Sequence, residues 1–548
     1  MIRGRQLTVV IAAVGVIGAA GAAGALLLRT ATPTIAAGAP RYVDETISSG
    51  IAHRYDGPSE YQVGGGVAVL DCDGDVRPDL YLAGGAAPAA LYRNVSGVGG
   101  ELRFEHLQGD ATDLDRVNGA YPIDLEGDGI ADLVVLRTGD PVLLRGRGDC
   151  AFEDVTAGLG LAAVGGQITA FSATWEDEAG LPTLAFGRYL TFDAAGEQTF
   201  DCDANALVRP SGSGYDSPLT LAPGFCSLSV LFSDWDRSGR RDLRVTNDRQ
   251  YYRDGMDQLW RIAAGEPPRL YTADDGWVSM QIWGMGIASQ DLTGDGYPEV
   301  YLTSQGDNKL QTLTAGPSRP TFRDIALRRG VTATQPYAGG DGLPSTAWHP
   351  EFADVNDDGF LDLFVSKGNV GQQATHAMRD PSNLFLGQPD GTFIEGALEA
   401  GIVTYERGRG AALVDLNTDG LLDLVLMNYG AESIVWRNVG LGTAVAPAIM
   451  GRWTAFELRQ PGPNRSAIGA WVEIAIGDLV VEREVTIGGG HAGGQLGPMH
   501  VGLGPANAAE LRVTWPDGEV GPWQRLESGS IWIVGRGVDP VRATRPED

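Results

Sequence analysis

A short acidic phrase that runs directly into an apolar stretch recurs along this chain, and it limits the possible folds more than any other feature. The copy at residues 354–365 reads DVNDDGFLDLFV. Asp, Asn and Gly also gather in ordinary turns for backbone reasons, so one copy alone would be weak evidence. Regular repetition, however, is typical of repeat architectures. Six recognisable copies begin at Asp71, Asp124, Asp234, Asp291, Asp354 and Asp415.

The six copies start 53, 110, 57, 63 and 61 residues apart. Residues 168–190, inside the longest interval, keep the order of strand, acidic loop and strand without the acid spacing, so the chain has seven units, one of them degenerate. Each unit reads as four strands, the third with a phrase such as LYRN at 91–94 and the fourth with a phrase such as FEDVTAGLGL at 152–161. Four-stranded units repeated around an axis predict an all-β fold, a seven-bladed β-propeller over residues 42–445.

The phrase YVDETISSGI at residues 42–51 tests this interpretation. It matches the fourth-strand phrase but precedes the first acidic loop, so it has no unit of its own. A clear copy of the same phrase is missing after Asn438. In a closed ring residues 42–51 would complete the last unit, whereas an open solenoid gives no reason for such an orphan.

The acid spacing within a loop points to a metal ion. Oxygen-bearing side chains stand at loop positions 1, 3, 5 and 9, with glycine at position 6. Ca²⁺ takes roughly six to eight oxygen ligands, and a glycine lets such a loop curl around the ion. An EF-hand would also need Glu at position 12 and flanking helices, but residues 363–365 read as a strand. The sequence therefore predicts calcium as a structural cofactor, with a backbone carbonyl at position 7.

The candidate ligands follow these positions in all six loops, and Ile130, Tyr297, Phe360 and Leu421 would contribute their backbone carbonyls. The full set is Asp71, Asp73, Asp75 and Asp79 in the first loop, Asp124, Glu126, Asp128, Ile130 and Asp132 in the second, Asp234 and Asp236 in the fourth unit, Asp291, Thr293, Asp295, Tyr297 and Glu299 in the fifth, Asp354, Asn356, Asp358, Phe360 and Asp362 in the sixth, and Asp415, Asn417, Asp419, Leu421 and Asp423 in the seventh.

Composition excludes some functions. The chain has 548 residues with 41 basic and 70 acidic side chains, a formal charge of −29. Such a charge repels phosphate backbones and anionic membrane surfaces, so nucleic-acid binding is not expected. Hydrophobic residues make up 43% of the chain, which is typical of a globular rather than a disordered protein.

The N-terminus predicts export. Arg3 and Arg5 precede 22 uncharged residues, 7–28. That length is close to the ~20 residues that cross a bilayer and exceeds the roughly 7 to 15 of a signal-peptide core. We favour a membrane anchor at residues 1–30 and a linker at 31–41. A cleaved signal is the alternative, although Pro40 directly follows the nearest small-residue cleavage site, residues 37–39.

Four cysteines in an exported chain are expected to pair. Cys202 and Cys226 flank an insertion in the long interval, and a disulfide there would order a loop with few apolar residues. Cys72 and Cys150 remain as the second pair. The alternative is that one or both pairs stay reduced and buried.

The repeated loops resemble the FG-GAP or VCBS repeats of integrin-type propellers, whose loops of this kind bind calcium. Residues 464–518 resemble an ASPIC/UnbV domain through the phrase NRSAIGA, a glycine-rich middle, HVGLG at 500–504 and WPDG at 515–518. This combination is similar to the cartilage acidic protein-like family and covers the chain from about residue 42. We expect a small β domain at 450–537 and a tail at 538–548. Ser238 and Val76 depart from the loop pattern.

The resemblance implies extracellular binding or adhesion. We expect an exported scaffold with structural calcium and a protein or glycan partner in the cell envelope. An accessory subunit of a membrane-bound complex is the alternative. An enzyme is less favoured, because the acids repeat from unit to unit whereas an active site occurs once. His349 and His376 flank a unit with a long insertion, residues 334–351, which is where a catalytic site would be sought, and His500 is expected to support a turn.

Overall fold

The structure, a computed structural model, describes residues 37–544 except 162, 178–179, 249–254, 279, 281, 333–341 and 372. The expected anchor or signal helix at 1–30, and the linker up to residue 36, lie outside the described residues. Among the residues that are described, no helix is long and apolar enough to cross a membrane. The predicted all-β class is confirmed, and the two α-helices that the described residues form are single turns, Ala326–Arg329 and Ala397–Ala400.

The described strands up to Asn438 form seven four-stranded antiparallel sheets, here called blades one to seven, and two extra hairpins in the third blade. β1 (Tyr42–Asp44) belongs to the seventh blade. The others are β2 (Val67–Leu70), β3 (Asp79–Leu82), β4 (Ala90–Asn94) and β5 (Phe104–Leu107) in the first, β6 (Val117–Ile123), β7 (Asp132–Arg137), β8 (Val142–Gly146) and β9 (Phe152–Asp154) in the second, and β10 (Ile168–Thr174), β11 (Thr183–Arg188), β12 (Leu190–Phe192), β13 (Gln198–Cys202), β14 (Asn205–Val208), β15 (Pro210–Ser211), β16 (Gly214–Tyr215) and β17 (Leu219–Leu221) in the third.

The remaining four blades follow the same order without extra hairpins. They are β18 (Ser227–Ser233), β19 (Asp242–Asn247), β20 (Gln258–Arg261) and β21 (Arg269–Leu270) in the fourth, β22 (Gly284–Gln290), β23 (Glu299–Ser304), β24 (Lys309–Leu313) and β25 (Phe322–Asp324) in the fifth, β26 (Ala347–Ala353), β27 (Asp362–Lys367), β28 (Asn383–Gly387) and β29 (Phe393–Glu395) in the sixth, and β30 (Gly408–Val414), β31 (Asp423–Asn428) and β32 (Ile434–Asn438) in the seventh.

The blades close into a ring. The first strand of each blade contacts the first strand of the next, and β30 of the seventh contacts β2 of the first. β1 pairs antiparallel with β32, Tyr42 opposite Asn438, so residues near the chain start complete the last blade as the orphan phrase predicted. Apolar side chains fill the space between neighbouring blades; Tyr301 of the fifth, for example, packs with Phe352 and Leu363 of the sixth.

The C-terminal unit consists of two four-stranded sheets. Its core contains Phe456, Val472, Leu511 and Trp515. The last strand, β40, lies in the predicted tail, so the sheet extends beyond residue 537. The strands are β33 (Arg452–Arg459), β34 (Trp471–Ile476), β35 (Leu479–Glu484), β36 (Met499–Gly504), β37 (Ala508–Thr514), β38 (Gln524–Glu527), β39 (Ile531–Gly535) and β40 (Val541–Arg542).

Both predicted disulfides are confirmed. Cys72, in the first acidic loop, is bonded to Cys150 in the second blade, with 4.6 Å between their Cα atoms. Cys202 is bonded to Cys226, with 4.7 Å between Cα atoms, and this bond joins the third-blade insertion to the residue before β18. All four cysteines of the chain are therefore paired, a state typical of exported proteins.

Candidate metal centres

All six acidic loops lie on one face of the ring. Each connects the first strand of its blade to the second, and the first strands all run in the same direction along the channel. We call this side the acidic face, and number each loop by its blade. The third blade contributes residues 175–177 and 180–182 there.

Each acidic loop is closed by its own backbone N–H groups. In the second loop Asp124, at position 1, accepts from the N–H of Gly129 at position 6 (2.9 Å). Asp132, at position 9, accepts from the N–H of Leu125 at position 2 (2.9 Å). The sixth and seventh loops repeat both bonds with Asp354 and Asp362, and with Asp415 and Asp423. The first and last acids of the motif thus set the loop shape as well as offering oxygen atoms.

Position 6 requires a left-handed backbone, which explains the glycine there. Its φ is 92° at both Gly359 and Gly420. Val76 takes φ 71° at the same position of the first loop, a conformation that L side chains other than Asn and Asp rarely adopt. The departure noted in the sequence therefore leaves the loop shape intact, at some cost in strain.

The donor set fits calcium. Carboxylate oxygens of Asp71, Asp73 and Asp79 all lie within 4.8 Å of one another. In the seventh loop Oδ1 of Asn417 is buried and has no hydrogen-bond partner, as expected for an oxygen that serves as a ligand. Hard oxygen donors gathered in a tight loop are the ligands that Ca²⁺ prefers.

Burial and mutual repulsion keep these acids from ionising freely. Burial, and after it the charges of Asp73 and Asp71, raise the pKa of Asp79 to about 8. Burial raises the pKa of Asp132 to about 7 and that of Glu299 to about 7, and neighbouring acids add to both shifts. The pKa values of Asp362 and Asp423 are also raised well above the ordinary range by burial. The loops thus concentrate carboxylates that a nearby cation would favour in their charged form.

The fourth loop contains its own cation. Nε of Arg240, at position 7, lies 2.9 Å from Oδ1 of the buried Asp242. Its Nη2 lies 3.5 Å from Oδ2 of Asp236, one of the candidate ligands. The other candidate, Asp234, accepts from the N–H of Gly239 (2.9 Å). In the first loop Arg77 pairs with Asp75 of the same loop (2.9 Å), and Glu126 of the second loop pairs with Arg145 of the neighbouring strand β8 (2.6 Å), so both loops are partly neutralised by arginines of their own blades.

The C-terminal unit covers the acidic face and contacts all six acidic loops, which the sequence did not predict. Its residues meet Val76 of the first, Gly127 of the second, Arg237 of the fourth, Gly296 of the fifth, Asp357 of the sixth and Gly420 of the seventh loop. A cavity of about 700 Å³ remains between the two surfaces, and Asp71, Asp124 and Asp415 are among its lining residues. The predicted domain at 450–537 therefore has its own sheets but rests on the candidate metal loops.

Residues 487–495, the glycine-rich middle of this unit, enter the central channel; we call them the axial segment. The segment forms β-bridges to first strands of five blades, at Val69, Ala120, Ala173, Leu231 and Ile287. A methyl group at Gly66 or Gly119 would overlap the carbonyl oxygen of Ala492, so the channel glycines leave the space that the segment fills.

His491 of the axial segment is fully buried among residues of the sixth and seventh blades. Its ring lies 5.0 Å from that of Trp348, which Arg409 covers at 4.1 Å. Burial, followed by the charge of Arg409, lowers the pKa of His491 to about 3, so this histidine is neutral at physiological pH. Its backbone N–H donates to Nδ1 of His349 (3.1 Å).

The three histidines named in the sequence analysis, His349, His376 and His500, lie in three different parts of the structure. His349 contacts the axial segment, whereas the ring of His376 packs edge-on against Trp283 on the side of the ring away from the acidic loops. His500 lies in β36 rather than in a turn, and its Nε2 is 2.7 Å from Oδ1 of the buried Asp357. Its ring stacks on Trp453. Asp357, at position 4 of the sixth loop, was missed because the ligand pattern skips that position.

Comparison with known proteins agrees with both parts of the sequence pattern. The FG-GAP-like repeat family matches residues 291–365, and the family described as ASPIC and UnbV matches residues 460–539. Cartilage acidic protein 1 of Mus musculus is 27% identical over 223 residues, which cover 37% of this chain and 31% of that protein. The Homo sapiens protein is 27% identical over 159 residues, covering 27% of this chain and 21% of that one.

Among solved structures, one described as the Dos1 propeller is 9% identical with a TM-score of 0.38, covering 74% of this chain and 95% of that one. BBS1N, solved in complex with ARL6DN, is 10% identical with a TM-score of 0.41, covering 75% of this chain and 100% of that one. The chain spans about a third or less of the length of the curated relatives it matches. It combines an FG-GAP-like repeat region with an ASPIC and UnbV region and is similar to cartilage acidic protein 1, as the sequence resemblance predicted.

Proposed function

We propose that this chain is an exported, calcium-binding β-propeller that acts as a binding or assembly scaffold in the cell envelope. The observation that carries the proposal is the repetition of one oxygen-rich loop on one face of the ring, with position 9 tied to the backbone in the same way in five blades. A structural device repeats in this manner, whereas an active site occurs once. We therefore propose a binding role rather than a catalytic one.

The sixth and seventh loops are the best candidates for calcium. Each has Asp at positions 1, 5 and 9, Asn at position 3 and glycine at position 6, a combination that the other four loops lack, and neither has a basic residue at position 7. Calcium, when bound, supplies positive charge among the clustered carboxylates and ties the first strand of a blade to the second. The fourth loop is the weakest candidate, since Arg240 already pairs with Asp236 and Asp242.

Export is supported by the two disulfides and by the similarity to cartilage acidic protein 1. An apolar N-terminal segment of the kind that anchors or targets a chain agrees with it. A protein or glycan of the cell envelope is the proposed partner. Because the C-terminal unit covers the acidic face, such a partner would meet the opposite face or the rim of the ring. A net charge of −29 argues against nucleic acid.

Calorimetric titration of the full-length chain with Ca²⁺ tests this proposal. We expect dissociation constants on the order of 10⁻⁴ to 10⁻³ M, as for extracellular modules, and much weaker binding of Mg²⁺, which resists dehydration. Asp358→Ala removes a position-5 ligand of the sixth loop and should remove one site. Asp110→Ala removes an exposed carboxylate outside the loops and should leave all sites. The proposal is wrong if calcium produces no binding heat and the chain melts identically in EDTA and in millimolar calcium.

A further inference from the structure

The C-terminal unit is attached to the propeller by two different kinds of contact. On one side β35 and the turn before β34 meet the fourth loop. Arg237 pairs with Glu482 (2.9 Å) and lies over the ring of Trp471 (4.0 Å). Arg241 donates to the backbone carbonyl oxygens of Gly469 (3.0 Å) and Pro516 (2.9 Å). These contacts use arginines that the chain itself supplies, so they need no added ion.

On the other side β33 and β36 meet the sixth and seventh loops. His500 pairs with Asp357, and the N–H of Gly504 donates to the carbonyl oxygen of the same residue (2.8 Å). A methyl group at Gly502 would overlap the carboxylate of Asp354, the position-1 ligand. A methyl group at Gly420 would overlap the Trp453 indole. This side of the unit therefore rests directly on the backbone and ligands of two candidate calcium loops.

The axial segment is joined to the sixth loop, and to two further candidate loops, through the first strands. The backbone N–H of His491 donates to Nδ1 of His349 (3.1 Å), and β26 leads directly into the sixth loop at Asp354. The N–H of Val69 donates to the carbonyl oxygen of Gly494 (3.0 Å), and β2 leads directly into the first loop at Asp71. The N–H of Gly490 donates to the carbonyl oxygen of Ile287 (2.7 Å), and β22 leads into the fifth loop. The segment is held mainly by backbone contacts to these strands. If an acidic loop becomes less ordered, the strand that leads into it can therefore move and weaken its contact with the segment.

Acidic residues of the C-terminal unit add to the charge at this interface. Glu484 accepts from the N–H of Asp234 (2.8 Å) and from the hydroxyl of Ser233 (2.7 Å). Glu482 lies beside Gly296 of the fifth loop. These carboxylates face the fourth and fifth loops, where Arg237 already pairs with Glu482, so this side of the interface holds its charges without an added ion.

We propose that calcium in the sixth and seventh loops closes the C-terminal unit over the acidic face and holds the axial segment in the channel, a regulation that rests on the calcium binding proposed above. Without calcium the unit loosens on the side of β33 and β36, while the arginine contacts to the fourth loop persist as a hinge. A ligand that binds only the closed state shifts the closing equilibrium by its own binding factor, about tenfold per site at ten times the dissociation constant.

Hydrogen exchange of the full-length chain, measured by mass spectrometry in calcium and in EDTA, tests the proposal. We expect amides of residues 487–495 and 499–504 to exchange about tenfold faster in EDTA for each coupled site. Residues 479–484, on the fourth-loop side, and residues 205–208 of the third blade, which lacks loop ligands, serve as internal references and should change less. Equal acceleration in all four regions would indicate general destabilisation and overturn the proposal.

Calorimetry on the same samples separates this inference from the function on which it rests. Calcium binding with unchanged exchange at 487–495 and 499–504 would overturn the inference and leave the calcium function standing. Absence of calcium binding would overturn both.

A matched pair of variants tests the contact itself. His500→Ala removes the partner of Asp357 without touching a candidate ligand, so exchange at 487–495 should rise in calcium while the calcium stoichiometry stays the same. His106→Ala makes the same change at an exposed position in β5 and should alter neither quantity. If His500→Ala leaves exchange at 487–495 at the wild-type rate, this contact does not hold the unit closed and the proposal is wrong.

Discussion

The fourth and seventh loops share a backbone shape, but only the fourth has a basic residue at position 7 that neutralises its acids. Position 7 is Arg240 in the fourth loop, and its guanidinium lies between Asp236 and Asp242. Position 7 is Leu421 in the seventh loop and brings no charge, while Asp415, Asp419 and Asp423 crowd together. Under the calcium proposal both loops hold a cation among their acids, the fourth from its own sequence and the seventh from solution.

Removing the guanidinium of Arg240 should lower the free energy of unfolding more than any other change predicted here. Arg240→Met leaves Asp242, which is 0% exposed, without its ion-pair partner. Loss of one member of a buried pair costs about 3 kcal/mol or more, so we expect a loss of unfolding free energy near that size, equal in calcium and in EDTA. Chemical denaturation in both conditions measures it.

Arg261→Met is the control for this change. Its partner Glu266 is 56% exposed, so the loss should stay below about 1 kcal/mol. A loss for Arg240→Met that disappears in calcium would mean that the ion replaces the arginine, and the two loops would then be alike.

Alanine substitutions at position 6 of the fourth and seventh loops should have intermediate effects on stability. Gly239 and Gly420 have φ of 81° and 92°, so alanine is strained at both, by roughly 1 kcal/mol or more. A methyl group at Gly239 meets nothing within 4 Å, whereas at Gly420 it overlaps the Trp453 indole. Gly420→Ala should therefore cost about 1 to 3 kcal/mol more than Gly239→Ala in thermal denaturation, because overpacking adds to the strain. Equal costs would show that Trp453 does not rest on this loop.

Features encoded over short stretches were predictable from the sequence. Strand alternation, the acid spacing and the orphan phrase at residues 42–51 each depend on neighbouring residues, and they predicted the blade strands, the shared loop shape and the pairing of β1 with β32. Both disulfides followed from the placement of cysteines around one insertion and one loop.

The docking of the C-terminal unit could not be predicted in the same way. The axial segment reads IGGGHAGGQ, and its β-bridges to the blades join backbone to backbone, so no pattern of side chains predicts them. His500 and Asp357 are 143 residues apart, and nothing local to either marks the other. Arg240 did leave a signal in the sequence, namely a basic residue at position 7, two residues before the last acid of its loop.

The smallest predicted change in stability depends on calcium, and it tests the difference between the fourth and seventh loops most directly. Asp419→Asn keeps an oxygen that can accept from the N–H of Leu421 but removes one negative charge from the seventh loop. In EDTA the variant should be as stable as the wild type or more so, because repulsion from Asp415 and Asp423 falls. In calcium at tenfold excess it should lose the stabilisation of one site, about 1.4 kcal/mol.

Asp236→Asn, the matched change in the fourth loop, weakens the contact to Arg240, and its effect should be the same with and without calcium. Thermal denaturation of both variants in the two conditions measures the four values. If the two substitutions respond to calcium alike, the fourth and seventh loops do not differ in where their cation comes from.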